Sequence, residues 1–537
     1  MPISRQDPAH IAETGPKSLV GKVKIGGRPY AISRPSNDDI TNLRFTPQHQ
    51  TVESLPNTLP NTPALTPVMS PVPLQQHDEN LIMTASNPPK NLWRIIATCI
   101  WSVSGGFSDA APGALLPFIE SDYGISYAVV SLIWMLNAAG FILVAMFSHK
   151  IQPWLGKRKS ILVGCLCSVV MYLLISSGGP FPLIVTGFFF GGIGLAIVLA
   201  QSNVFFSKLD KNSKYLAFMH GAYGVGATLS PLLATSMVNH GIKWHYFYLI
   251  ALVLMLFNCI NCWFAFGGAD DDLKPWDHDD EAELLLANGD EAGLSPIDTP
   301  RVSEDGIGLQ DLGTHITAVE RESPAASKQT GAMMLALQNP ITWLISLFVL
   351  CYQGSEVSLG GWIVSYLLDS RGANNSYGYV LSGFWGGLTL GRLVLTRPLH
   401  KYFGARRSII VLTVLTIGAI VLTWTVANNI VLSVLVSLAG TMIGPTYPLM
   451  ITIVSSMLPR KIQVVSLTIM TAFGSSGGAI LPFLIGLGAE AVGTYVVLPV
   501  FIATYSVMLV IWLLLPNVES KGPIPDTKVR KFLHRVW

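Results

Sequence analysis

Charge is what this chain has least of. Only 12% of its 537 residues are Asp, Glu, Lys or Arg, where a soluble domain carries about 25%. The 34 basic and 32 acidic residues nearly cancel, leaving +2. That balance supplies no basic field for a nucleic-acid partner, and none is expected. Cysteine is scarce too. All six, Cys99, Cys165, Cys167, Cys259, Cys262 and Cys351, lie in apolar stretches. "CINC" at 259–262 has the spacing of a redox or zinc pair, yet no second pair or histidine cluster accompanies it. The six are read as small packing residues, and no metal site is expected. No nucleophile–base set or phosphate loop appears, so neither catalytic residues nor an organic cofactor are expected. "MPISRQDPAH" leads into a polar segment without an apolar core, so no cleavable signal peptide is expected.

What the chain has instead is apolar length. Half of its residues are hydrophobic and its mean hydropathy is +0.48. A bilayer core of about 30 Å takes roughly 20 apolar residues in a helix. Six such runs are read at 93–118, 125–148, 158–178, 182–206, 215–238 and 244–266, and six more at 341–367, 377–397, 407–427, 430–454, 464–487 and 494–515. The expected fold is an all-α integral membrane protein of twelve transmembrane helices in two six-helix halves, 91–267 and 336–516. Residues 1–90 are polar and proline-rich and are expected to be a disordered tail. Their Ser/Thr-Pro steps at Thr46, Thr62, Thr66 and Ser70 are candidate kinase sites. A second disordered segment is expected over 268–335, which opens "GADDDLKPWDHDDEAE", because blocks of like charge repel and stay solvated. A basic tail, 517–537, closes the plan.

Orientation follows from Lys and Arg in the short loops. Lys150, Lys157, Arg158 and Lys159 follow the second run, and Lys208, Lys211 and Lys214 the fourth. Arg397, Lys401, Arg406 and Arg407 follow the eighth, and Arg460 and Lys461 the tenth. Loops after odd-numbered runs hold only Lys243 and Arg371. The even loops, both termini and the acidic linker are therefore expected to be cytoplasmic, in the plasma membrane or an endomembrane. The sequon "NNS" at Asn374 falls on the opposite side and is the candidate glycosylation site.

The two halves repeat. "LGKRKSI" (155–161) and "FGARRSI" (403–409) stand 248 residues apart, each opening the third run of its half. "HGAYGVGATLSP" (220–231) corresponds to "TAFGSSGGAILP" (471–482), and "GGFSDAAPGALL" (105–116) to "YQGSEVSLGGWI" (352–363), at nearly the same offset. Duplicated six-helix halves related by an axis along the membrane normal, with the solute site between them near the midplane, are the plan of major facilitator transporters. "SDAAPGALLPF", "HGAYGVGA" and "YQGSEVSLGGW" resemble the fucose and glucose/galactose permease branch of that superfamily, and the tail and linker resemble those of a fungal member. The basic loops are similar to the superfamily's cytoplasmic signature of glycine, acid and paired basic residues. Its acid is missing here, with Pro153 and Lys401 at about its place.

Within the apolar runs stand two carboxylates, Asp109 in the first helix and Glu356 in the seventh. The 248-residue offset maps Glu356 onto Ser108, beside Asp109. A charge in hydrocarbon costs at least about 2.5 kcal/mol, so such residues mark function by default. Gln353, Glu356 and Gly360 share one helix face, as do Ser102, Gly105, Asp109 and Gly113. The resemblance points the same way, because an acid in the first helix takes part in proton coupling in the fucose permease branch, and Asp109 matches it. The branch's second acid, in helix four, does not carry over; Leu199 stands there. Asp109 and Glu356 are thus the expected proton-coupling residues, with the proton as coupling ion. Candidate solute ligands are Asn137, Gln201, Asn203, Gln353 and Tyr447, with Trp362 and Trp385 to stack on a ring. Amides both donate and accept, which suits hydroxyl-rich solutes, although in membranes they also bond helix to helix. Gln201 and Asn203, two apart, cannot both face one cavity. Trp362 points away from Gln353 on an ideal helix, so either Gly360–Gly361 kinks it or it faces lipid. His220 is read as a packing residue.

The expected function is proton-coupled transmembrane transport of a small polar solute by alternating access, a sugar being one candidate. Its partners would be that solute and membrane lipid. Efflux of a metabolite or drug is the alternative within transport, and a non-transporting nutrient sensor the alternative outside it.

Overall fold

The computed structural model describes residues 24–25, 28–29, 83–210, 212–273, 333–372 and 374–517. The kinase candidates Thr46, Thr62, Thr66 and Ser70, most of the linker and the basic tail from residue 518 lie outside them. In an N-terminal unit, Met1–His77, two two-residue strands pair antiparallel, Lys24 opposite Pro29 and Ile25 opposite Arg28. Among the described residues, all the helices belong to the second unit, Asp78–Trp537.

The long helices of the first half are α1 (Asn91–Tyr123), α2 (Tyr127–Phe147), α3 (Trp154–Ser176), α4 (Phe181–Ser207), α5 (Asn212–Asn239) and α6 (Phe247–Ala265). Those of the second are α7 (Pro340–Arg371), α8 (Tyr379–Leu390), α9 (Ala405–Thr425), α10 (Asn429–Met457), α11 (Arg460–Val492) and α12 (Val497–Leu514). Beyond Leu390, α8 passes through a π-helical segment, Gly391–Leu395, into Thr396–Phe403. Among the described residues, nine spans are long and apolar enough to cross a bilayer. The three stretches outside that set are α1, α5 and α8 with its extension. Large apolar side chains such as Val253, Ile260, Leu390 and Ile430 are 61 to 73% exposed on the bundle's outside; lipid, not water, is the solvent that suits them.

Helix ends follow ordinary chemistry. Asn339 and Asn428 accept hydrogen bonds from the first free N–H groups of α7 and α10. Gly124 and Gly372 end α1 and α7 in the left-handed conformation. Near the start of α3 the helix breaks at Gly156 (φ 73°, ψ 173°), and α9 starts after Gly404 (φ 80°, ψ 155°). Only glycine takes such angles without strain.

The duplication is visible atom by atom. Ser160 Oγ donates to the Gly156 carbonyl at 2.6 Å, and Ser408 Oγ to that of Gly404 at 2.7 Å. The Arg158 guanidinium lies 3.6 Å from the Trp263 ring centre and donates to the Trp263 carbonyl at 3.0 Å. Arg406 repeats this on Trp512, at 5.9 Å and 3.3 Å. The backbones touch in matching pairs. A Cβ on Gly106 or Gly226 would collide with carbonyls across the α1–α5 contact, and one on Gly477 would do so across α7–α11. Gly192 against Asn137 in α2–α4 is matched by Gly440 against Phe384 in α8–α10. Close backbone approach of this kind is how membrane helices gain packing energy.

Two segments expected to be disordered are in part structural. Met83 is 1% exposed and its carbonyl accepts from the Asp210 N–H at 2.7 Å. At the start of the linker, Ala269–Asp272 forms a helical turn. Its Asp272 pairs with Arg94, whose side chain is wholly buried, and its Asp270 accepts from the Lys157 N–H. The linker thus sets an acid against the turn that follows Pro153, where the loop signature lacks one. The cysteines behave as packing residues, with Cys165 of α3 against Cys259 and Cys262 of α6.

Candidate functional site

Between Ser104 and Leu116, α1 is buried except at Asp109. Its exposed large apolar residues, Leu92, Trp93 and Ile96, all lie near its start. An acid exposed in the middle of an enclosed helix faces an internal opening rather than lipid. One Asp109 oxygen accepts from the Tyr223 hydroxyl of α5 at 3.0 Å.

In the other half, Glu356 on α7 meets Arg392, which sits in the π-helical segment after α8. Such segments recur at functional sites because they re-aim a side chain. Here the local packing sets it: a Cβ on Gly391 would collide with the Thr441 carbonyl, and one on Gly444 with that of Leu388. Arg392 Nη2 lies 3.4 Å from Glu356 Oε2 and donates to the Tyr352 hydroxyl at 3.1 Å, while Nε reaches the Gly444 carbonyl at 3.4 Å. The pair keeps partial access, with 20% of the Arg392 and 13% of the Glu356 side chain exposed. Tyr223 lies within electrostatic reach of Asp109, Glu356 and Arg392 alike, and His220 within that of Arg392. Tyr223, which holds Asp109, and Arg392, which holds Glu356, line one cavity.

A small cavity, about 10 Å³, lies where α5 meets α8, lined by His220, Tyr223, Trp385, Thr389 and Arg392 among others. His220 is exposed there, so its reading as a packing residue is corrected. Toward the Gly124 and Gly372 ends, the halves close on each other. A Cβ on Gly113 would strike the Gly360 carbonyl, and one on Gly361 would lie 2.6 Å from the Trp134 ring. The Tyr127 hydroxyl donates to Asp369 at 2.5 Å.

The remaining candidates divide. Trp385 lines the cavity, its indole N–H shielded and without a partner among the described residues. Tyr447 stands 5.9 Å, ring to ring, from Tyr352. Gln353 packs along α11 at Gly474 and Gly478. Asn137 donates to the Phe188 carbonyl of α4 at 3.4 Å, a helix-to-helix bond. Gln201 lines a separate crevice with Met83 and Lys157, and Asn203 is exposed. Trp362 neither kinks out nor faces lipid. It is fully buried, donates to the Pro482 carbonyl at 3.0 Å and packs on Tyr127 and Trp134 of the other half. Asn374 is exposed, its side-chain oxygen accepting from the Ser376 N–H. Among the described residues, no group of three or more His, Cys, Asp or Glu is placed to hold a metal.

The sequence profile of the Major Facilitator Superfamily matches residues 98–402 and 345–537. The chain belongs to the major facilitator superfamily. Membership makes it a multi-pass membrane protein of a transporter family. A curated relative, "Bypass of stop codon protein 6" of Saccharomyces cerevisiae, is 27% identical over 412 residues, covering 74% of this chain and 78% of that protein. Among solved structures, the fold is similar to that of a bacterial homologue of the human lysosomal transporter Spinster, described as inward-facing and unoccupied. The TM-score is 0.56 at 12% identity, over 84% of this chain and 99% of that one. It is also similar to that of the nucleoside transporter NupG, with a TM-score of 0.56 at 10% identity, over 79% and 98%. In this superfamily member, the residues that the sequence reading missed are Arg392, Tyr223 and Tyr352. Arg392 carried a signal, being a cation inside the apolar run 377–397. The tyrosines carried none that separates them from packing aromatics.

Proposed function

We propose that this protein is a proton-coupled secondary transporter of a small polar solute that works by alternating access. One observation carries the reading. A carboxylate from each half, Asp109 and Glu356, is held by a side chain, Tyr223 or Arg392, that lines one cavity where the halves meet. Carboxylates that exchange partners as the halves rock can take a proton on one side and release it on the other. The basic loops orient both termini toward the cytoplasm and place Asn374 for glycosylation on the far side. The motif resemblance to the fucose and glucose/galactose permease branch makes a sugar the first neutral solute to test, and the yeast relative agrees with a fungal origin. The test is uptake of labelled solutes by the full chain in proteoliposomes under an imposed pH gradient. Accumulation that a protonophore collapses is expected. Binding of a solute without accumulation would favour the sensor reading and overturn this one.

A further inference from the structure

We propose that the transported solute carries a carboxylate, which takes Arg392 from Glu356 in the cavity between α5 and α8, with His220 beside it. This rests on the transport reading of the same cluster and adds the chemical class of its cargo. The first support is the donor count at Arg392. Nε is given to the Gly444 carbonyl and Nη2 to Tyr352 and Glu356. Nη1 has no bond among the described residues, and it lies on a residue that lines the cavity. A guanidinium presents its nitrogens as a fork that fits a carboxylate with two parallel bonds. Here only one prong is engaged by an acid.

The second support is how loosely that prong is held. Its 3.4 Å contact with Glu356 is beyond the 2.7–3.2 Å of an ordinary N–H···O bond. The third is the wall around it. His220 is exposed to the same space, and the buried Trp385 N–H in that wall lacks a partner among the described residues. Thr389 offers little to an incoming group, since its hydroxyl donates to its own helix at the Trp385 carbonyl. An uncharged solute can accept from this fork at single oxygens, whereas a carboxylate matches it with two parallel bonds and opposite charge.

Charge balance then supplies coupling. Glu356 contacts Arg392 and lies within electrostatic reach of Tyr352 on its own helix, Tyr223 on α5, Tyr447 on α10 and Tyr505 on α12, with Asp109 bonded to Tyr223 and His220 within reach of Arg392. Arg392 is the fixed cation of this set, against two acids. An entering carboxylate adds a third negative charge, which is relieved when Glu356 takes a proton and releases Nη2. On the other side of the membrane the solute leaves, Glu356 gives up its proton, and the original contact with Arg392 reforms. One proton and one negative charge move together, so transport of a monoanion is electrically silent.

The experiment uses the full chain in proteoliposomes with three matched pairs: gluconate and glucose, lactate and lactamide, succinate and succinamide. At least one carboxylate should accumulate under a pH gradient, preferred roughly tenfold over its neutral partner, equivalent to about 1.4 kcal/mol. For lactate or gluconate, a potassium–valinomycin potential should leave the rate unchanged. Arg392→Gln should abolish the preference. Glu356→Gln should retain carboxylate binding, with an affinity that depends less on pH than that of the unaltered protein. Should Arg392→Gln fail to fold, Arg392→Lys keeps the charge but not the fork and should lose most of the preference. Accumulation of a neutral member with none of its acid would overturn the anion proposal and leave the transport reading standing. So would an Arg392 variant with undiminished preference. No accumulation of any member would overturn both.

Discussion

Glu356 and Arg392 share one contact, yet removing either has a different consequence. Glu356→Gln keeps the shape and an acceptor for Arg392 but cannot carry a proton. The variant should fold, insert and exchange solute, while losing accumulation driven by a pH gradient. Asp109→Asn should act alike, because Tyr223 still finds an acceptor there. Normal accumulation by either variant would show its carboxylate to be a structural hydrogen-bond partner only. Arg392→Gln leaves Glu356 without its cation and should lower stability by about 3 kcal/mol, the low end for a buried pair because both side chains keep some access. In the Glu356→Gln, Arg392→Gln double variant much of that loss should return, as a coupling of about 1–3 kcal/mol in detergent unfolding. Asp109 and Glu356 stood out in the sequence because a charge in an apolar run is costly and needs a partner. Arg392 was equally visible as a cation inside the apolar run 377–397, where the loop cations Arg397 and Lys401 follow closely. Trp362 was not legible. Its direction on one helix is fixed by periodicity, but what it meets depends on how the other half docks.

At the scale of helices, small residues decide who may touch. A Cβ on Gly477 would collide with the Leu350 carbonyl of α7, and backbone cannot step aside as a side chain can. Gly477→Ala should therefore force α7 and α11 apart and cost about 1–3 kcal/mol. Gly418 on α9 is the control, since a Cβ there meets nothing within 4 Å. Gly418→Ala should be neutral or gain up to about 1 kcal/mol from helix propensity. Thermal unfolding of the purified proteins measures both, and equal effects at the two sites would refute the close-contact account. Element positions were legible because twenty apolar residues in lipid have few options besides a helix. The repeat was legible because "LGKRKSI" and "FGARRSI" impose one turn twice. The π-helical segment at Gly391–Leu395 was not, because it depends on how Gly391 and Gly444 meet across two helices. Neither was the ordered start of the linker. A run of acids reads as solvated until a buried Arg94 is found waiting for one of them.

Across the whole molecule, the described contacts between the halves bear on which face is closed. On the orientation proposed from the basic loops, the Gly124 and Gly372 ends would face away from the cytoplasm. Thiol labels at Gly404→Cys and Asn374→Cys should be reached from opposite sides, and labelling of both from one side would defeat that orientation. At the closed end, Tyr127 of α2 donates to Asp369 of α7, and a Cβ on Gly486 of α11 would lie 2.6 Å from Ser131 Oγ. Alternating access requires these contacts to part when the cluster at Asp109 and Glu356 turns to the other side. Tyr127→Cys with Asp369→Cys, joined by a cleavable bifunctional thiol reagent, tests this. The linker should form in the double variant and in neither single one. It should stop uptake by holding the halves together at one end, leave solute binding from the open side in place, and release uptake again when a reductant cuts it. Full uptake with the linker intact would mean that the halves never separate at Tyr127 and Asp369, and the rocking of one half against the other would have to be given up for this protein.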